Sequence, residues 1–225
     1  MLERLKELYP TLTEEQGTRF SRYYELLVEW NKTRNLTAIT EPEAVAEKHF
    51  FDSLAAASLL KPGARCIDVG TGAGFPGIPL LIVRPDLKLT LLDALQKRIE
   101  FLEFVLKDLG LEATCVHMRA EDAGRSPLYR AKFDYTLTRA VSALPVLLEL
   151  TVPLLRVNGS AIAYKGDAAE EIDAAQNAAK ILRCRLETVP VEASYGARTL
   201  VIAKKLAETP AKYPRKAGTP TKQPL

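Results

Sequence analysis

Ile67-Asp68-Val69-Gly70-Thr71-Gly72-Ala73-Gly74-Phe75-Pro76-Gly77 joins an apolar, strand-like run to a loop with four glycines in eight residues. Glycine at a strand end permits positive φ and removes the Cβ that would keep a ligand from the backbone. In open α/β sheets, ligands bind beyond the carboxyl ends of such strands. Outward from the loop, short apolar strands alternate with amphipathic helices. The strands are read at Arg65–Val69, Lys88–Leu92, Ala113–Met118, Phe133–Thr138 and Ser160–Lys165. Helices are read at Lys97–Leu109, stopped by Gly110, at Leu144–Leu155 and at Ala168–Leu182. Strands Arg185–Val191 and Thr199–Lys204, joined through Tyr195-Gly196, close the pattern. Such alternation builds an α/β fold with a mostly parallel sheet covered on both faces, and the closing pair adds one antiparallel strand.

Two regions flank this core. Residues 1–61 read as a helical extension, residues 62–207 as the main domain, and 208–225 as a basic, proline-rich tail. Thr13 with Gln16, and Thr40 with Glu43, fit capping boxes. Phe20, Tyr23, Tyr24, Leu27 and Trp30 make an apolar stripe at helical spacing, read as packing against the main domain. In the tail, Pro210, Pro214, Pro220 and Pro224 argue against any helix or central strand and for an extended or disordered chain. From Thr209 to Leu225 stand four basic residues (Lys212, Arg215, Lys216, Lys222) and no acid, against a net charge of +3 for the chain. The globular part is thus near neutral, and the excess points to a polyanion or to a solvated end.

Composition narrows the class. The 225 residues are 47% hydrophobic and 26% charged, as in an ordinary globular protein. No run approaches the ~20 apolar residues of a membrane span, and Met1–Lys6 lacks a secretory apolar core, so a cytoplasmic protein without a membrane partner is expected. Cys66, Cys115 and Cys184 read as buried free thiols, and His117 as a packed strand residue. No Cys/His cluster has zinc spacing, so no metal is expected. No G-x-S-x-G hydrolase elbow is present.

Two ligands compete for the loop. Gly72-x-Gly74-x-x-Gly77 matches the dinucleotide fingerprint, with Asp93 21 residues after Gly72 to hold a ribose. That spacing also suits S-adenosylmethionine. Asp68 would repel a pyrophosphate and attract an ammonium or sulfonium. Pro76 removes an amide that pyrophosphate binding uses. No Tyr is followed four residues later by Lys, so one dehydrogenase acid/base pair is missing.

With these residues in view, the chain strongly resembles the RsmG (GidB) family of 16S ribosomal RNA guanine-N7 methyltransferases. The likeness covers nearly the whole length. It rests on Trp30-Asn31-Lys32 with Asn35–Ile39, His49 with Asp52-Ser53-Leu54, and Asp68–Pro79. It also rests on Leu91-Leu92-Asp93 with Lys97-Arg98, Arg119-Ala120-Glu121 and Arg139-Ala140-Val141. Pro153-Leu154-Leu155, Lys165-Gly166, Lys212-Tyr213-Pro214-Arg215 and Gly218-Thr219-Pro220 complete it. One departure is Thr138, where the family more often has Ser.

The resemblance implies a class I S-adenosylmethionine-dependent methyltransferase fold, Rossmann-like, with a mostly parallel seven-stranded sheet and an N-terminal helical extension. It implies methylation of guanine N7 in the small-subunit decoding region. The partner would be 16S rRNA, the small ribosomal subunit or its assembly intermediate, not DNA, and the protein a monomer. Gly70 and Phe75 would contact the cofactor, Asp93 and Ala94 its ribose side, and Ala120 and Glu121 its adenine. Arg139 would stand at the cofactor and substrate end as the catalytic residue.

Guanine N7 already carries a lone pair, so catalysis needs alignment more than a base. His49 and Asp52 share a helix face and are read either as a local pair joining the N-terminal helices to the core or as contacts to RNA or the cofactor, the structural role being favoured. Lys165 is a second RNA-contact candidate, and Lys32 and Arg34 extend a positive rim. The tail is read as an RNA arm, with Tyr213 stacking on a base and its removal leaving cofactor affinity intact. A nicotinamide-dependent oxidoreductase, a non-catalytic ribosome-assembly RNA-binding protein, and a methyltransferase of small molecules or proteins are the alternatives.

Overall fold

The computed structural model describes residues 1–225. Seven strands form one sheet: β1 (Arg65–Val69), β2 (Lys88–Asp93), β3 (Thr114–His117), β4 (Phe133–Arg139), β5 (Leu155–Lys165), β6 (Cys184–Val191) and β7 (Arg198–Lys205). Their order is β3-β2-β1-β4-β5-β7-β6. The pairs among β1 to β5 are parallel, while β7 runs antiparallel to both β5 and β6. The order reverses between β1 and β4, so a crevice opens beyond their carboxyl ends. Register brings those ends level. Val69 pairs with Leu92, Asp93 with His117, and Arg139 with Tyr164.

The helices are α1 (Leu2–Leu8), α2 (Glu14–Arg34), α3 (Pro42–Val45), α4 (Asp52–Leu54), α5 (Gly77–Val83) and α6 (Gln96–Leu109). They continue with α7 (Ala120–Arg125), α8 (Leu144–Thr151), α9 (Ala169–Ala174), α10 (Gln176–Leu182) and α11 (Thr219–Lys222). A wide π-helical turn, Ala46–Phe51, links α3 to α4. Phe20, Tyr23 and Leu27 of α2 join Phe50, Ile78, Leu91 and Phe101 in one apolar cluster, so the N-terminal helices share the core of the sheet. Trp30 packs half-buried on Phe101 and Phe104. On the other face, α8 and α10 pack over β5 and β7 with Tyr213 among them.

The Thr13–Gln16 capping box is present with both of its hydrogen bonds. The one expected at Thr40–Glu43 is not: Pro42 sets the first turn, so Glu41 takes the N-cap position of α3 and makes no side-chain capping bond. The helix expected at Leu144–Leu155 ends at Thr151. Pro153 cannot donate to a helix and crowds the residue before it, so Val152–Leu154 tightens to a 3-10 turn. The next strand then starts at Leu155 rather than Ser160, with Asn158 at positive φ where its pairing with β4 shifts. The expected Ala168–Leu182 helix breaks at Ala175, whose ψ is −3°. His117, expected to be packed, is exposed on edge strand β3, and its Nε2 bonds the carbonyl of Ala94. Cys66 and Cys184 are buried and Cys115 half-buried, all free thiols.

The largest difference lies in the proline-rich segment, which folds back on the core instead of standing free and, against expectation, holds one helical turn, α11, because Pro220 stands in its first turn where no N–H is needed. Arg215 pairs with the fully buried Glu149 through bonds of 2.6–3.1 Å. Tyr213 is buried. Arg130 donates to the carbonyls of Thr209 and Tyr213 at 2.9 and 2.7 Å. Prolines forbid regular ladders but not side-chain anchoring, and Arg125 and Arg130 donate to four carbonyls of the segment, those of Thr209, Pro210, Tyr213 and Pro214.

Candidate functional site

The loop after β1 is held by two buried acids. Asp68 Oδ2 accepts the Thr71 hydroxyl at 2.7 Å and the Gly77 N–H at 2.9 Å. A Cβ on Gly77 would lie 2.5 Å from Leu91 and 2.9 Å from that oxygen, so only glycine lets the helix start this close. Asp68 is wholly buried and its Oδ1 has no partner; burial raises its carboxyl to about 7. The expectation that Asp68 attracts a ligand cation is thus corrected, because its carboxylate is turned inward to staple the loop. Asp93 fixes the other side. Its Oδ2 accepts the Gly72 N–H at 2.9 Å and a bond from Arg98 at 3.1 Å, while Oδ1 accepts the Leu95 N–H at 2.9 Å.

These constraints leave a cavity of about 570 Å³ beyond the sheet. Gly70, Phe75, Asp93, Ala94, Ala120, Glu121 and Arg139 all border it. At Gly72, with φ +61°, a Cβ would meet no protein atom within 4 Å, which makes this backbone an open cradle. Leu36, Leu92 and Met118 supply apolar walls. Leu36 and Thr37 reach the cavity because the Asn31 side chain accepts both of their amides, at 2.7 and 2.9 Å. Glu121 is buried at the far end, with Oε1 accepting the Gly218 N–H at 2.9 Å.

Arg139 closes the opposite end. Its guanidinium lies 4.9 Å from the Phe75 ring centroid, and the His49 ring stacks on the same phenyl at 4.4 Å. Arg139 donates to the Lys48 carbonyl at 2.8 Å, to Asp52 Oδ2 at 3.1 Å and to His49 Nδ1 at 3.1 Å. Arginine has only donors, so Nδ1 carries a lone pair and the His49 proton sits on Nε2, bonded to Thr37 Oγ1 at 2.8 Å. Burial, then the Arg139 charge, lowers His49 to about 4, which keeps the ring neutral. Asp52 does not pair with His49 as expected. Nearly buried, it gathers Arg139, Arg198 at 2.7 Å through both carboxylate oxygens, and the Tyr195 hydroxyl at 2.9 Å.

Beyond Arg139 and His49 a second cavity of about 360 Å³ begins, bordered also by Lys48, Lys165 and Arg198. Lys165, expected as a free RNA contact, is paired with Glu171 at 2.7 Å and bonded to the Ser142 carbonyl at 2.8 Å. On the presumed positive rim, Arg34 pairs with Glu100 while Lys32 is exposed. Of the tail's expected RNA groups, Arg215 is used by Glu149 and Tyr213 is buried, which leaves Lys212, Lys216 and Lys222 exposed. The reading missed Leu36, Thr37, Arg98 and Thr221 at the first cavity and Tyr195 and Arg198 at Asp52. For Leu36 and Thr37 a signal existed in the Asn31–Ile39 block, which carried no assigned role. No group of His, Cys, Asp and Glu side chains is arranged to hold a metal ion, and no helix is long and apolar enough to cross a membrane.

Comparison with known proteins bears on this geometry. Residues 16–201 match the sequence profile of the family described as GidB, rRNA small subunit methyltransferase G. A ribosomal RNA small subunit methyltransferase G from Desulforamulus reducens is 47% identical, over 98% of this chain and 95% of the relative. One of the same name from Halalkalibacterium halodurans is 47% identical, over 99% and 97%. Among solved structures, a methyltransferase from Pyrococcus furiosus superposes with TM-score 0.58 at 13% identity, over 84% of this chain and all of that one. A precorrin-6y C5,15-methyltransferase from Geobacter metallireducens does so with TM-score 0.52 at 14% identity, over 77% and 92%. These two likenesses establish the class I methyltransferase fold.

Proposed function

The chain belongs to the rRNA small subunit methyltransferase G (GidB) family, and from that premise we propose that it transfers a methyl group from S-adenosylmethionine to N7 of a guanine in the decoding region of 16S rRNA. The observation that carries the reading is the cavity bounded by the glycine loop, Asp93 and Glu121 and ended by Arg139. The residues fit an adenosyl donor. The bare Gly72 backbone admits close approach. The Asp93 carboxylate borders the cavity as an acceptor for a ribose hydroxyl, which could displace the long 3.5 Å contact from Arg98. No protein donor engages the second Glu121 oxygen, which suits an exocyclic amine. Gly70, Phe75 and Ala94 line the middle of this path, and Ala120 begins the helix at its adenine end.

A dinucleotide fits poorly. The amides of Gly70, Thr71, Gly72, Gly74, Phe75 and Gly77 already donate within the protein, and Pro76 has none. A pyrophosphate would find almost no free N–H groups in this loop. The oxidoreductase alternative therefore lacks the donors its cofactor needs.

When bound, the donor supplies an electrophilic methyl on a positive sulfur. The chain's own task is to align it with an acceptor and keep water out, which is worth ~7–11 kcal/mol in well-oriented reactions. The stacked Phe75 and His49 rings border the first cavity, His49 and Arg139 border both, and Arg139 is held at that junction by four acceptors. The Arg139 guanidinium is placed to contact guanine O6, a phosphate or the donor carboxylate. His49 stays neutral, so no cation is added beside the sulfonium. Lys48 and Arg198 stand at the second cavity, on the acceptor side, where RNA phosphates would lie.

We infer that the substrate is RNA, whether free, in an assembling particle or in the small subunit, and that the site of action is the cytoplasm. Incubation with methyl-labelled S-adenosylmethionine and small-subunit RNA, followed by strand scission at N7-methylguanine, tests this. One labelled guanine in 16S rRNA is expected. Label on protein, on small molecules or at another base position contradicts it.

A further inference from the structure

We propose that residues 209–225 form a wall of the donor cavity, so that donor binding and docking of this segment strengthen each other. The proposal rests on the reading that the cavity holds S-adenosylmethionine.

Helix α7 joins the two. Its first residues, Ala120 and Glu121, face the cavity. Its last, Gly124 and Arg125, hold the segment. Pro214 sits so close to Gly124 that a Cβ there would lie 2.7 Å from the ring, and Arg125 Nε donates to the Pro214 carbonyl at 2.9 Å. Farther along, the Gly218 N–H fixes Glu121 Oε1 at 2.9 Å, and Thr221 borders the cavity itself. The Glu149–Arg215 pair anchors the stretch between these contacts, with the Arg215 N–H also bonded to Glu149 at 2.7 Å.

Undocking would therefore release the carboxylate that faces the adenine end and open the wall at Thr221. A ligand that prefers the docked state must in turn favour docking, because coupling between two equilibria is reciprocal. The segment is then part of the donor site first, whatever RNA its exposed lysines also meet. This reverses the expectation that removing it leaves cofactor affinity intact.

Titration with S-adenosylhomocysteine, together with hydrogen–deuterium exchange, tests the wall. The unaltered chain should bind, and saturation should slow amide exchange across residues 209–223. Deletion after Glu208, and separately Arg215→Ala, should weaken binding about tenfold or more, within the usual range of coupling. Because Arg215→Ala leaves Glu149 buried and unpaired, the charge-free Glu149→Leu/Arg215→Leu pair is measured beside it, with folding checked by circular dichroism. Should any variant unfold, exchange in the unaltered chain decides alone. Binding by the unaltered chain with no slowing in 209–223, or folded variants within twofold of its affinity, overturns the wall but not the donor assignment. No binding by the unaltered chain overturns both.

Discussion

Asp52 shows how much one side chain organises. Its two oxygens hold Arg139, Arg198 and Tyr195, which reach it from β4, from β7 and from the turn before β7. Asp52→Asn keeps the volume and removes the charge, leaving two guanidiniums facing each other in a mostly buried place. Breaking a buried pair costs about 3–5 kcal/mol. Methyl transfer should fall roughly 100-fold, as when a positioned donor at a reacting centre is lost, while S-adenosylhomocysteine affinity falls far less, because Asp52 itself borders only the second cavity. A matching loss of donor affinity would show that Asp52 serves the donor cavity instead.

His49 makes a pH-dependent contribution. Its folded pKa of about 4 lies below the ordinary 6.5. Stability from the neutral ring is complete above 6.5 and is lost as the unfolded chain takes up a proton on the way down to about 4. Asp68 works in the opposite sense. Raised to about 7 in the fold, it adds stability as pH falls from 7 towards its ordinary value of 3.8. The difference between unaltered chain and His49→Gln isolates the histidine. Urea midpoints of the variant should fall less between pH 7 and pH 4; parallel profiles would contradict the burial of His49. The pairing of His49 with Asp52 was misread because helix spacing shows only that two residues share a face. Their actual partners, Arg139 and Arg198, are far away in the chain and leave no periodic trace.

At the scale of elements, the strand–loop–helix unit was legible because its demands are local. A strand needs β-branched and apolar residues, and a close turn needs glycine. Gly77→Ala would push a methyl into Leu91 and Asp68. Overpacking of this kind costs about 1–3 kcal/mol, and an unchanged denaturation midpoint would show that the loop yields more than its contacts indicate. Strand positions followed from alternation. Ends moved where proline or a positive-φ residue intervened, as at Pro153 and Asn158. The proline-rich segment could not be placed from sequence. Its anchors, Glu149 and Arg130, lie 66 and about 80 residues away. Charge composition marked Arg215 as free, although a buried acid was waiting for it.

Across the whole molecule, the two cavities proposed for donor and RNA adjoin at the same end of the sheet, sharing His49, Arg139 and Ala140. The fold class followed from the alternation of elements, since parallel strands require helical crossovers. The division of labour among the cations followed only from the structure. Arg215 and Lys165 are internally paired, whereas Lys48, Lys212, Lys216 and Lys222 face solvent. RNA affinity should fall linearly with the logarithm of salt concentration. Replacing Lys212, Lys216 and Lys222 by Gln should reduce that slope by about 2, at roughly 0.7 per charge on single strands. An unchanged slope would place the RNA elsewhere.

The donor cavity itself is tested most directly by calorimetric titration of S-adenosylhomocysteine into the unaltered chain and into Gly72→Val. The side chain of that valine would enter the space that no protein atom occupies. One molecule bound per unaltered chain, and binding abolished in a Gly72→Val protein that remains folded, is the predicted result. Undiminished binding by Gly72→Val, or none by the unaltered chain, would contradict it.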